Sequence, residues 1–124
     1  MGYESKVYVC ERAEHKNDNE EIVWIYNEVI AAVNMCKMGY DNGWRELFDK
    51  ELTGDFLGMD CGDETITEDL YGDTLKYTEI DKVITWLENE MQKSDYRRLA
   101  VLYNMLRGFD INQWRKLIVV HYGY

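Results

Sequence analysis

The sequence contains no proline, and only three cysteines and two histidines among its 124 residues. Without proline there is no cis-prolyl turn and no proline-rich linker. Cys10, Cys36 and Cys61 are odd in number, lie 26 and 25 residues apart and form no CxxC pair. A disulfide framework is therefore not expected, and a reducing compartment fits better. Zinc takes four Cys or His ligands in closely paired spacing, whereas no two of these five residues fall within four positions of each other. GxxxxGK[ST], GxGxxG and GxSxG are all absent, which removes the common phosphate-cradling and nucleophile-elbow signatures. No apolar run exceeds five residues, Ile22–Tyr26 being one, far below the ~20 that a membrane span requires. Bases are scarce as well: 14 Lys and Arg stand against 24 Asp and Glu, a net charge of −10. Such a chain repels free nucleic acid and attracts basic surfaces.

What is present argues for a folded protein. The hydrophobic share is 46% and the aromatic share 14%, with ten Tyr and four Trp. Disordered acidic chains are poor in both classes. A chain of this length suits one domain, residues 1–124, and buries roughly two-thirds of its unfolded surface without a staple. Met1–Lys6 has no apolar core of the signal-peptide kind, so a cytoplasmic location is expected.

Lys6–Glu11 is rich in β-branched and aromatic residues and reads as a strand, followed by a polar connection over Ala13–Glu21. Ile22–Met38 fits both a helical and an alternating period, and its density of Ile and Val favours a strand paired with the first. Asn42 is placed to cap a short helix over Gly43–Lys50, with Trp44, Leu47 and Phe48 inward. Thr53–Gly72 reads as a β-hairpin turning at Gly62-Asp63-Glu64. Thr78-Glu79-Ile80-Asp81 resembles a capping box opening a helix to about Lys93, with Ile80, Val83, Ile84, Leu87 and Met91 as its apolar stripe. Ser94-Asp95 can cap a second helix through Arg107, stopped by Gly108. Asp110–Trp114 reads as a turn, and Leu117–Tyr122 as a central strand. The expected fold class is α+β: a mainly antiparallel sheet packed against two helices in the C-terminal half. Val7, Val9, Ile118 and Val120 are expected to bury against Ile84, Leu87, Leu99 and Leu102.

Candidate chemistry is sparse. His15 reads as a surface histidine and His121 as a partly buried, hydrogen-bonded ring, neither with a catalytic motif partner. An EF-hand loop starting at Asp60 fails, because Gly62 falls at its third position and Tyr71 at its twelfth. A loose magnesium site from Asp60, Asp63 and Glu64 would suit a nuclease, but a nuclease needs a basic track for its substrate. The expectation is no enzyme, no cofactor and no metal.

Charge is the strongest signal. Residues 41–90 hold fifteen acids and four bases, and residues 91–124 hold two acids and six bases. One reading of the acidic block is a solvated face that maintains solubility. The sharper reading is a mimic of nucleic-acid phosphate that docks on a Lys- and Arg-lined groove, quickly and salt-dependently. Asp60, Asp63, Glu64, Glu68, Asp69 and Asp73 are its candidate residues, with Glu79 and Asp81 flanking. The basic set Arg97, Arg98, Arg107, Arg115 and Lys116 could face the acidic patch of another copy and give a homo-oligomer.

Three segments carry a resemblance: Gly2–Val9, Glu64–Asp69 with Tyr71-Gly72, and Trp114 with Leu117–Tyr124. They resemble small proteins encoded by phages and prophages of Gram-positive bacteria. That resemblance implies a phage accessory protein acting in the host cytoplasm, of the anti-CRISPR kind. The partner it implies is a basic protein surface, with a CRISPR nuclease complex as the most concrete target, and no direct contact with nucleic acid or membrane.

Overall fold

The computed structural model describes residues 5–36, 43–52, 58–69 and 72–123, without the side chains of Val23, Trp24 and Arg115. Its elements are β1 (Ser5–Lys16), β2 (Ile22–Cys36), β3 (Lys50–Glu51), β4 (Met59–Cys61), β5 (Glu64–Ile66), β6 (Lys76–Glu79), α1 (Ile80–Glu90), α2 (Arg97–Arg107) and β7 (Leu117–Gly123). The architecture is α+β, as expected: a seven-stranded sheet in the order β3-β6-β7-β1-β2-β4-β5, with two helices in the C-terminal half. Every pairing is antiparallel except β2 with β4, which meet in parallel at Glu28 and Asp60.

The ambiguous segment is a strand, Ile22–Cys36, and it pairs with β1 along its whole length. The polar connection is shorter than expected, because β1 continues to Lys16. The Asn17 Oδ1 atom shapes the turn by accepting the N–H groups of Asn19 (2.9 Å) and Glu21 (3.0 Å). A carboxamide two to four residues before a backbone donor closes such a turn locally.

Strand alternation assigns the two cores. Val7, Val9, Leu117 and Val119 face α1 and α2, where Ile80, Val83, Ile84, Leu87, Leu99, Leu102 and Leu106 pack against them. Ile118 and Val120 turn the other way, with Tyr8, Cys10, Leu52, Met59, Leu75 and Tyr77. This corrects the expectation that all four strand residues meet the helices. Val7 pairs with His121 and Val9 with Val119, and directly opposed residues share a face. Full burial of each such side chain contributes about 1.5–3 kcal/mol.

The sheet curls. Glu68, two residues beyond β5, forms an antiparallel bridge with Thr74, two residues before β6. In a flat sheet β5 and β6 would lie five strand spacings apart, about 24 Å, more than two two-residue steps and one bridge can span.

Several local expectations are corrected. Thr78 caps nothing: it lies fully buried in β6, a strand unforeseen from sequence, and the N-cap of α1 is Glu79 with no side-chain cap bond. The hydroxyl of Thr78 is instead buried without a hydrogen-bond partner. Burial of the two central residues of Lys76–Glu79, one on each face of the sheet, outweighs the local capping pattern. α2 begins at Arg97 behind an N-cap at Tyr96, not at Ser94, and Gly108 ends it in the right-handed region (φ −71°). The helix foreseen over Gly43–Lys50 shrinks to one 3-10 turn, Arg45–Leu47, although Trp44 and Phe48 do point inward. The hairpin keeps its turn, but among the described residues its strands are only Met59–Cys61 and Glu64–Ile66. Asn42, the outer hairpin residues 53–57, and Leu70 and Tyr71 lie outside the described residues.

Gly58 sets the approach of the hairpin to the sheet. Its carbonyl accepts from the buried Asn27 Nδ2 at 3.0 Å, and a Cβ added there would lie 2.4 Å from the Ile66 carbonyl oxygen. Gly58→Ala is expected to cost about 1–3 kcal/mol, because backbone rather than a flexible side chain must move. Urea denaturation of the variant checks this, and a loss below ~0.5 kcal/mol would show that the hairpin shifts without resistance.

Candidate functional site

Between Lys50 and Lys76 the sequence holds eight carboxylates and no Lys, Arg or His. The structure places the eight candidate residues, six from this stretch and two beyond it, in three settings.

The first is the edge hairpin β4–β5. Asp63 lies at its turn and Glu64 opens β5; both are exposed, as is Glu68 just beyond. Asp60 is half-buried and accepts a hydrogen bond from the Thr65 hydroxyl. Asp60 opposes Thr65 while Cys61 opposes Glu64, so Asp60 and Glu64 point to opposite faces. Hairpin carboxylates act on their surroundings. The Tyr122 phenol is pushed above its ordinary pKa, first by burial, then by Tyr8, Asp69 and Glu64, with Lys6 opposing. The β5 edge is short and anionic, a composition that also discourages edge-to-edge pairing.

The second setting is a recess of about 480 Å³ that takes Asp69 and Asp73. Their loop is closed by two bonds: Asp69 N–H to the Asp73 carbonyl (3.0 Å) and Asp73 N–H to the side-chain Oδ1 of Asp69 (3.0 Å). Arg45, Lys76, His121 and Glu51 line the same recess, so these two carboxylates share it with two cations and a third carboxylate.

The third setting, holding Glu79 and Asp81, is a cleft of about 800 Å³ at the far end of β6 and β7. Glu79 Oε1 takes the Lys50 ammonium at 3.1 Å. This hydrogen bond is the chief reason the Lys50 pKa is raised, and burial opposes it. Both partners are substantially exposed, and such a pair contributes little to stability. Lys50 and Arg12 flank the Tyr77 ring at 6.0 Å and 5.6 Å, and Arg12 donates to the Tyr77 hydroxyl (3.2 Å).

The eight carboxylates thus do not share one surface. Asp60 and Glu64 turn to opposite faces of the hairpin, and Glu79 with Asp81 lines a different recess from Asp69 with Asp73. Asp63, Glu64 and Glu68 are exposed on and just beyond the hairpin, and none of them makes an ion pair among the described residues.

Sequence reading missed one polar constellation. Ser5 Oγ accepts the Trp44 indole N–H (2.8 Å) and lies 2.9 Å from His121 Nε2. The spacing matches a nucleophile and its base, but Ser5 is completely buried, so no substrate reaches the hydroxyl. The group ties β1, β7 and the Trp44 turn together. Ser5 and His121 are 116 positions apart, and no local motif announces them. Among the described residues no cluster of three or more His, Cys, Asp or Glu side chains is arranged to hold a metal, and no helix is long and apolar enough to cross a membrane.

Fold and site together define a small α+β protein whose curled sheet is backed by two helices and edged by a carboxylate-rich hairpin. No protein-family model, curated protein or solved structure matches the chain.

Proposed function

We propose that this chain is a non-catalytic inhibitor that docks its carboxylate hairpin on a cationic, nucleic-acid-binding surface of a bacterial protein complex. One observation carries the reading. The stretch with eight carboxylates and no cation presents Asp63, Glu64 and Glu68 exposed, on and just beyond an edge hairpin. Carboxylates in that position stand in for nucleic-acid phosphates. Their field steers encounter with a basic groove, and salt weakens it. The resemblance to phage-encoded proteins makes a CRISPR nuclease complex in the host cytoplasm the most concrete target.

The test is a triple reversal, Asp63→Lys, Glu64→Lys and Glu68→Lys, assayed against candidate nucleases over a salt series. Affinity for the target is expected to fall at least tenfold, with the salt dependence flattened. Inhibition that survives both reversal and high salt would reject mimicry.

A second reading, self-association, has its own observation. Arg97 and Arg107 are exposed on α2 and take part in none of the ion pairs among the described residues. A basic helix face and an acidic hairpin on one chain suit head-to-tail contact. Light scattering across concentration separates the two readings: a defined oligomer without effect on any nuclease favours self-association.

A further inference from the structure

The 800 Å³ cleft has the size of a small-molecule site, and the mouth of a curled sheet is a common place for one. Glu79 opposes Ile118 in the β6–β7 ladder, so both stand on the sheet face turned away from the helices. Trp114 and Ile111 reach the cleft from the connection between α2 and β7, and Asp81 from the first turn of α1.

Both cations of the lining are already engaged. Arg12 donates to the Tyr77 hydroxyl and lies 3.8 Å from Glu14, and Lys50 Nζ lies 3.1 Å from Glu79. Asp81 is the third carboxylate, and it makes no ion pair among the described residues. The lining therefore carries one surplus negative charge, on a chain of net charge −10. Such a cleft attracts cations and repels anions. Two further features define what else a ligand must carry. The Trp114 indole N–H is buried without an acceptor, and an indole can only donate. Ile111 is 66% exposed, more than any other large hydrophobic residue among the described ones, which leaves apolar surface uncovered at the cleft.

We propose that the cleft binds a small organic cation: a protonated amine joined to a planar apolar body that bears an oxygen acceptor. The ammonium meets Asp81, where charge assistance strengthens the hydrogen bond. The planar body lies against Trp114 and Ile111. Its oxygen accepts from Trp114 Nε1, and the half-buried indole tilts to present that donor. Arg12 and Lys50 keep the partners they have. The site uses none of Asp63, Glu64 and Glu68, so it does not depend on the inhibitor reading.

Tyramine carries all three parts and is the probe, titrated into ¹⁵N-labelled protein with the Trp114 indole signal assigned through Trp114→Phe. Amide shifts are expected at Asp81, Ile111 and Asn112, with a downfield move of the Trp114 indole N–H. Phenethylamine, which lacks the oxygen, is expected to bind about threefold or more weakly. Phloretate, in which a carboxylate replaces the amine, is expected to bind at least tenfold more weakly. Asp81→Asn is expected to weaken tyramine binding about tenfold. The ligand series is read on the unaltered protein, so the test stands even where a variant fails to fold. The triple hairpin reversal should leave the titration unchanged, which separates this site from the inhibitor proposal. No shift at ~10 mM tyramine, shifts confined to residues 63–68, or equal binding of either analogue would each overturn the proposal.

Discussion

Trp44→Ala lowers the free energy of unfolding by about 3–5 kcal/mol, the range for removing a fully buried large aromatic side chain. Trp44 is 1% exposed and packs edge-on against Phe48, with ring centroids 5.2 Å apart. It also meets Trp86 at 5.0 Å and His121 at 6.3 Å. Its indole N–H is the donor to Ser5 Oγ. Truncation to alanine leaves a cavity between β1, β7 and α1 and withdraws that donor. Trp44→Phe isolates the second loss: ring packing is largely kept, and about 1–2 kcal/mol is expected for the missing hydrogen bond. Urea denaturation at constant m-value measures both. A Trp44→Ala loss below ~1 kcal/mol would mean that the neighbouring aromatics close over the gap.

Alkaline pH is expected to unfold the protein through Cys10. Burial pushes this thiol up to about 12, and Cys61 and Asp60 add to the shift. Its ordinary value is 9.0, which represents the unfolded chain. Below pH 9 the thiol is protonated in both states, and its contribution to stability is fully present. Between pH 9 and about 12 the unfolded chain ionises while the folded one does not, and stability falls as pH rises, by roughly 1 kcal/mol or somewhat more per pH unit. Cys10→Ala removes this dependence. The variant starts less stable at pH 7, and its deficit narrows as pH rises. Parallel denaturation curves from pH 7 to 11 check the effect. A constant deficit would show that Cys10 ionises without loosening the fold. Thiol-labelling at pH 8 gives an independent view: Cys61 is exposed and Cys10 is not, so Cys61 is expected to react while Cys10 stays silent until unfolding.

Elements whose pattern arises from their own burial were readable in the sequence. α1 and α2 carry apolar residues at three- and four-residue steps. β7 is a continuous apolar run because both of its faces are covered, as Leu117–Val120 show. β2 was legible through its β-branched density, even though periodicity alone left it open. What escaped depends on partners distant in sequence. β6 is four residues long, and Tyr77 and Thr78 are buried on opposite faces. Its polar threonine and glutamate matched a helix cap just as well. The face assignment of Ile118 and Val120 needed the register with β1, which no local pattern contains. The candidate site was legible as composition and not as geometry. The deficit of cations between Lys50 and Lys76 is visible in the letters. The curl that brings Asp69, beyond β5, into the recess with Lys76 and His121 is not.

That central ladder also governs how the molecule assembles. Every rung between β1 and β7 joins residues more than a hundred positions apart, so the chain must close a very large loop before the middle of the sheet forms. Folding on the millisecond-to-second scale is expected, as for other topologies dominated by distant pairings. The β1–β2 hairpin, joined by a five-residue turn, is the most local long pairing and is expected to form first, with its inner edge bare until β7 arrives. During that interval an extended chain of another molecule can take the place of β7, which makes refolding yield a decreasing function of protein concentration.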